Sequence, residues 1–359
     1  MTSTRAKSRI GQAAIVLAAL VLGACSTSKR TSETSTPDVT TAGQASTTTR
    51  PAPTTTVEPT TTTAAAGPLW PLTGLPADDE ASLARPALVV KIDNHALARP
   101  QSGLNAADIV FEENVEHLTR FAAVFQSAQA SPVGPIRSGR TQDIDLLGSF
   151  NRPLFAWSGG NQRVTAAIRA SDLRQLSSQQ QSGFFRSDSR PAPHDLYSST
   201  DALFALAPAE AGPPPPQFEY RLATSAPAGD QVGGVDISMD GVAVRWTWDA
   251  ASSTFVRTTD GKVHKDANVD LQMSTHNVVV LYLQYRPSPA DAGSPEAQTI
   301  GSGQAFVFSA GRAVSGTWTR TDRLRPFTLT DAAGHIIELT PGRTFVELAR
   351  TDTATAIPA

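Results

Sequence analysis

The sequence predicts an α/β (or α+β) region with a mixed sheet, followed by a β-rich region. Three observations carry that reading. Before "GPPPP", Gly212 to Pro216, apolar runs are interleaved with helix-like stretches; after it the side chains alternate with period two; and the proline run itself marks a break. The 359 residues therefore divide into an α/β part at 68–212 and a β-rich part at 213–350, with a tail at 351–359 expected to have no structure.

Taken in order, Arg5, Lys7 and Arg9 precede a short apolar stretch, Ile10 to Leu22, which is too short to span a bilayer. It reads as a signal peptide over residues 1–24. The stretch closes on Leu22-Gly23-Ala24-Cys25, a lipobox, and predicts a lipid anchor on Cys25 that ties the mature chain to the extracytoplasmic face of the membrane. Cys25 is the only cysteine, so the folded part has no disulfide, no cysteine-rich metal site and no thiol nucleophile. The remainder of 25–67 is Thr, Ser, Ala and Pro with almost no aliphatic or aromatic residue, a composition that cannot bury a core. It reads as a disordered stalk, spanning roughly 130 Å when drawn out.

In the first region Ala87–Ile92, Ile109–Phe111, Phe121–Phe125 and Leu154–Trp157 read as strands, and Arg140–Phe150, Arg163–Ala170 and Asp201–Ala209 as helices. "WSGGN", Trp157 to Asn161, resembles a strand-to-helix turn capped by Asn161. In the second region Val242, Val244, Trp246 and Trp248 share one strand face, and Asp240-Gly241 and Asp260-Gly261 supply turns. Val278–Leu283 suits a central strand, and "GHIIELTPGRTFVEL" reads as a turn-linked pair.

A net charge of -3 and a pI near 6.1 give no electrostatic reason to expect nucleic acid. The six histidines form neither His-Glu-x-x-His nor His-x-His, and the chain has no calcium loop, Walker loop or Gly-x-Ser-x-Gly elbow. No metal site and no cofactor are expected.

Polar groups collect instead at the end of the first strand, where Asp93, Asn94 and His95, with Arg99 close behind, occupy the position of a ligand crevice in an α/β sheet. Glu112 shares a strand face with Val110, Asn114 and Glu116. In "GPIRSGR", Ser138 reads as a helix N-cap and sets Arg137 and Arg140 at a helix start, where an anion is favoured and a cation is not. That anion is either Asp93 or Glu112, in an internal ion pair, or the phosphate or carboxylate of a ligand. "FFRSDSRPAPHDLYSS" adds Arg190, His194 and Asp195 in a proline-broken loop. There Asp195 can cap the next turn and His194 can pack on an aromatic ring; a base-and-orienter pair needs the backbone to turn one toward the other.

"KIDNHALARPQSGLNAADIVFEENVEHLTRFAAVFQS", "GPIRSGR", "FFRSDSRPAPHDLYSS", "THNVVV", "GSGQAFVF" and "GRAVSGTW" resemble, in order, the motifs of the YerB-like lipoproteins. The resemblance covers nearly everything after the stalk. It implies two domains of unknown function in an extracytoplasmic lipoprotein of a Gram-positive-type envelope, and carries over no catalytic residue. The expected function is a non-enzymatic binding or accessory role toward a cell-wall component or an envelope protein. The alternative is a hydrolase or lyase acting on cell-wall glycan or a phosphodiester, with Asp93 or Glu112 as acid or base and Arg137 holding the anion. Glycan hydrolysis needs carboxyls about 5 to 9.5 Å apart; Glu112 and Glu116 on one strand would lie roughly 13 Å apart. Only Asp93 with Glu112 is left as a pair.

Overall fold

In the computed structural model, which describes residues 67–77, 79–222 and 224–359, the apolar runs of the first half become strands. The expected signal peptide, Cys25 and all of the stalk before residue 67 lie outside the described residues. The strands are β1 (Leu88–Asp93), β2 (Ile109–Val115), β3 (Leu118–Phe125), β4 (Leu154–Trp157) and β5 (Arg174–Ser177). β3 lies antiparallel to β1 and β2, whereas β4 is parallel to both β1 and β5. The mixed sheet is therefore present, with helices fewer and shorter than an α/β layer implies: α1 (Glu80–Leu83), α2 (Gln142–Leu146), α3 (Gln162–Ala170) and α4 (Thr200–Phe204).

Of these, α3 follows its sequence signals closely. The Asn161 side chain accepts from the Val164 N–H at 2.9 Å, and Val164 and Ile168 form the buried stripe. The helix expected at Arg140–Phe150 is instead α2 followed by a 3₁₀ turn, Gly148–Phe150. Gly148 lies against the chain at Arg323, where a Cβ would clash with the carbonyl oxygen, and Asn151 leaves the turn at φ 57. The helix expected to reach Ala209 stops at Phe204, because Pro208 disfavours helical geometry just before it.

The second half supplies β6 (Asp230–Met239), β7 (Val242–Asp249), β8 (Thr254–Thr259), β9 (Asn277–Tyr282), β10 (Tyr285–Ser288), β11 (Asp291–Ala297), β12 (Gly301–Ser309), β13 (Arg312–Arg320), β14 (Thr328–Asp331), β15 (Thr344–Ala349) and β16 (Ala354–Pro358). Asp240 (φ 41) and Gly241 (φ 98) make the tight turn between β6 and β7, and along β7 Val242, Val244 and Trp246 point inward. β9, buried throughout, is central as its composition predicts.

One sheet runs through both halves in the order β8-β7-β6-β13-β12-β9-β15-β2-β3-β1-β4-β5. The junction is the parallel pair β2–β15, with Ile109 opposite Thr344 and Glu112 opposite Glu347. Apolar side chains cover both faces, Val90, Phe121 and Val278 on one, Val89, Phe155 and Val346 on the other. Two expectations for the second half are corrected. The segment "GHIIELTPGRTFVEL" is not a hairpin: Ile336 bridges Thr330 of β14 and Leu339 bridges Tyr220, while β15 inserts between β9 and β2. The tail at 351–359 is not without structure either. β13 meets β6 only at Asp230 and Gln231, so the rest of that edge has unpaired backbone groups, and β16 pairs with it from Val232 to Ile237.

Candidate ligand-binding site

Alternation along the strands separates the polar residues of the first half into two sets. Asp93 pairs across β3 with Arg120 and Arg120 with Glu113, on one face; Ile92, Phe121 and Glu112 are paired on the other. Asp93 and Glu112 therefore lie on opposite faces of the sheet, and the carboxyl pair considered for glycan hydrolysis does not form. Glu112 is fully buried and structural. Arg257 bridges it at 2.6 Å and Glu347 at 3.0 Å, Trp246 donates to Glu347, and Asn94 and Thr119 donate to Glu112 at 3.1 and 2.6 Å. Burial, and after it the charge of Glu112, push the Glu347 carboxyl well above its ordinary range.

Around Asp93 the pairing is also mostly internal. Its Oδ2 takes His194 Nδ1 at 2.6 Å and Arg137 Nε at 3.1 Å, and Oδ1 accepts from the His95 N–H at 3.0 Å. His95 stacks on His194 with ring centroids 4.6 Å apart. The carboxylate partner of His194 is thus Asp93 and not its neighbour Asp195, which pairs with Arg186 at 2.6 Å; the cap of α4 is Ser199. Arg99 donates to Asn94 and bridges Asp260 at 2.7 Å. Arg190 donates to the carbonyls of Leu97, Arg99 and Pro100, tying the proline-broken loop to the chain after β1.

"GPIRSGR" runs along the edge of β1 beyond β4: Ile136 bridges Ile92, the Asp93 N–H donates to the Pro135 carbonyl and the Arg137 N–H to the Lys91 carbonyl. Ser138 is not a helix cap, since the N-cap position of α2 is Thr141; the Ser138 carbonyl accepts from Arg120 at 2.9 Å. Gly139 passes so close to β4 and α3 that a Cβ would meet Trp157 at 2.9 Å and Ile168 at 3.0 Å. Its N–H donates to Gly159, and Ser158 donates back to Arg137, so the segment runs alongside the "WSGGN" turn. Between them opens a pocket of about 390 Å³ that carries Arg120, Arg137 and Arg140 in its wall. The N-terminal end of α3, at Gly160 and Asn161, forms a second wall, and Ser288, Asp291 and Ser294 of the β10–β11 hairpin form the third. That hairpin is held in place by Thr141, which bonds Ser288 and Glu296, and by Gln142, which accepts from Ala297 at 2.9 Å.

The three arginines differ in what they meet. Arg140 is tied to its own chain: Nε and a terminal nitrogen donate to Glu116 at 3.1 and 2.6 Å, and the other terminal nitrogen donates to the Gly139 carbonyl. Burial works to raise the Glu116 carboxyl, and the hydrogen bonds from Arg140 and Ser294 outweigh it, holding it at about 2. Arg137 gives Nε to Asp93 and keeps its side chain 24% exposed. Arg120 is 6% exposed, has no carboxylate within salt-bridge distance among the described residues, and leaves Nε without a hydrogen-bond partner. Burial, then the Arg140 and Arg137 cations, push its guanidinium down to about 10. Beneath the pocket Lys91 bridges both Glu113 and Asp143, at 2.5 and 2.6 Å, all fully buried, and Asp143 accepts from the Arg140 N–H. Burial and the Asp143 charge push Glu113 up to about 7.

Of the residues singled out in the sequence, then, Arg137, Ser138 and Arg140 line the pocket, Asp93 and His194 support Arg137 from behind, and Asn94, Glu112, Arg99, Arg190 and Asp195 serve the surrounding structure. Arg120 was missed, although an arginine inside the apolar run "LTRFAAVF" is itself a signal. Among the described residues no group of three or more His, Cys, Asp or Glu is placed to hold a metal ion.

The two halves that share the sheet are also what the sequence comparisons match. The model described as "Protein of unknown function (DUF3048) N-terminal domain" matches residues 72–212, and its C-terminal counterpart matches residues 235–346. The chain belongs to this YerB-like family of two-domain proteins. It is 27% identical over 292 residues, covering 77% of this chain and 85% of the relative, to the Bacillus subtilis (strain 168) protein named "Putative lipoprotein YerB". A crystal structure of the YerB protein from Bacillus subtilis shares the fold, with a TM-score of 0.71 at 23% identity over 80% of this chain and 99% of that one.

Proposed function

We propose that this protein is a lipid-anchored lipoprotein on the extracytoplasmic face of the membrane, and that its folded part binds a polar component of the cell envelope without catalysing a reaction. The lipobox at Cys25 and the name of the Bacillus subtilis relative support the anchor. The binding role is carried by one observation: Arg120, buried in the wall of a polar pocket beside two further arginines, has no carboxylate within salt-bridge distance among the described residues. A buried, unmatched cation is costly in a structure that exists only for stability, and becomes useful when a ligand completes it.

Two measurements test the reading. Palmitate labelling of Cys25→Ala should show a protein that is unlipidated and misprocessed or released; a wild type found unlipidated in the medium removes the anchor. The full chain in detergent should be retained by isolated cell-wall fragments, and Arg137→Ala should lower that retention while circular dichroism stays unchanged. Cleavage products in the same mixture would instead favour a hydrolase.

A further inference from the structure

Taking the arginine pocket as the binding site proposed above, we infer that the group it receives is a phosphate esterified to a sugar or polyol, seated between Arg120, Arg137 and the N-terminal end of α3. Donor-bearing groups of three separate elements line it: Arg120 on β3, Arg137 in the 137–140 segment, and the α3 N-terminal end at Gly160 and Asn161. A carboxylate offers two coplanar acceptors, which one guanidinium fork satisfies, and the chain already uses that match where Arg140 holds Glu116. Donors spread over three directions suit a tetrahedral group with three acceptor oxygens, and a helix N-terminus adds partial positive charge to the same spot.

Counting charge by pairs leads to the same place. Arg140 is neutralised by Glu116 and Arg137 faces Asp93, whereas Arg120, although Asp93 and Glu116 lie near enough to favour its charge, has no carboxylate within salt-bridge distance among the described residues; its Nε is unpartnered and it is more than nine-tenths buried in the pocket wall. The pocket, at about 390 Å³, is far larger than a phosphate ion. The rest of its wall is hydroxyl and amide, from Ser138, Ser158, Asn161, Ser288 and Ser294, with Val164 the one aliphatic side chain, so the remainder of the ligand is hydroxylated and not a lipid tail. Asp291 is the carboxylate that opposes an anion. It is exposed at the rim, with Oδ1 accepting from the Gly293 N–H. Because β10 and β11 belong to the second half, the site is completed only when both halves are present.

The test is thermal unfolding and calorimetric titration of the full chain in detergent, at ionic strength held constant with chloride. The probes are inorganic phosphate, glycerol 3-phosphate, the diester glycerophosphoglycerol, and glucuronate as the carboxylate control. Phosphate should raise Tm with concentration, and an ester should bind about tenfold tighter, the worth of one or two added hydrogen bonds. A tighter monoester points to a soluble sugar phosphate and a tighter diester to a phosphodiester polymer; either supports the assignment. Arg120→Met should abolish the phosphate response and change Tm little in the absence of anion, the lost hydrogen bond to the Ser138 carbonyl being offset by relief from the Arg137 and Arg140 cations. Asp291→Asn, at an exposed position that the fold does not depend on, should tighten inorganic phosphate a few-fold. If glucuronate binds as well as the phosphate esters and loses binding with Arg120→Met, the phosphate assignment fails while the pocket stands as a binding site. If no anion shifts Tm, Arg120→Met destabilises the apo protein and Asp291→Asn changes nothing, the cluster is architectural and the binding role fails with it.

Discussion

At the scale of single residues, the densest charge chemistry lies under the pocket, where one lysine meets two carboxylates with no solvent. Lys91 can balance one negative charge, and Glu113 takes up the strain by titrating near neutrality. A carboxyl held at about 7 in the folded state and near 4.5 when unfolded favours folding in its protonated form. That contribution is complete below pH 4.5 and is lost as pH rises through 7. Glu113→Gln removes the titration, so the variant should gain on the wild type by on the order of 3 kcal/mol between pH 4.5 and pH 8. Urea unfolding of both proteins at several pH values checks this; parallel stability curves would mean that the Lys91 cluster stays charged throughout.

At the scale of elements, the last strand shows what an open sheet edge recruits. β16 has little to bury, with Thr355 and Ala356 exposed and Ile357 half-buried, yet it satisfies the β6 backbone from Val232 to Ile237. Ending the chain after residue 352 should therefore cost stability, by about 1–3 kcal/mol, where a structureless tail would cost none. A lower urea midpoint together with faster amide exchange in Val232–Ile237 is the expected result. The pocket depends on elements in the same way: α3, the 137–140 segment and the β10–β11 hairpin each supply one wall.

At the scale of the whole molecule, the two matched domains are not independent layers. β15 of the second half lies between β9 and β2, and the ion pairs of Arg257 with Glu112 and Glu347 are buried across that junction. A fragment of residues 67–212 would expose the β2 edge and leave Glu112 without its arginine, a loss of about 3–5 kcal/mol from the broken pair alone. Expressed by itself it should be unfolded or aggregated, and the intact protein should lose tryptophan fluorescence and far-UV ellipticity in one coincident urea transition. Two separated transitions would show that the halves fold apart.

What the sequence determined by itself was much of what depends on neighbours along the chain, though not the Ser138 cap, the full spans of two helices or the strand at the C-terminal tail. The β1–β4 apolar runs, the Asn161 cap, the Asp240-Gly241 turn, the period-two face of β7 and the lack of core-forming residues before residue 67 all follow from local propensity and side-chain alternation. Arg137 and Arg140 were singled out as cations at a helix start; they do line the pocket, but the helix end there is that of α3, and α2 begins only after Thr141. Only the tertiary structure decided which charges meet. Asp93 and Glu112, the one carboxyl pair the spacing left open, stand on opposite faces of one sheet, His194 pairs with an aspartate a hundred residues away, and Arg120 has no carboxylate within salt-bridge distance among the described residues, in a pocket closed by the distant Ser288 and Ser294. The reason is physical: a strand reports which of its side chains share a face, whereas the order of strands in the sheet, and so the partner that each face meets, is set by long-range packing that no local pattern encodes.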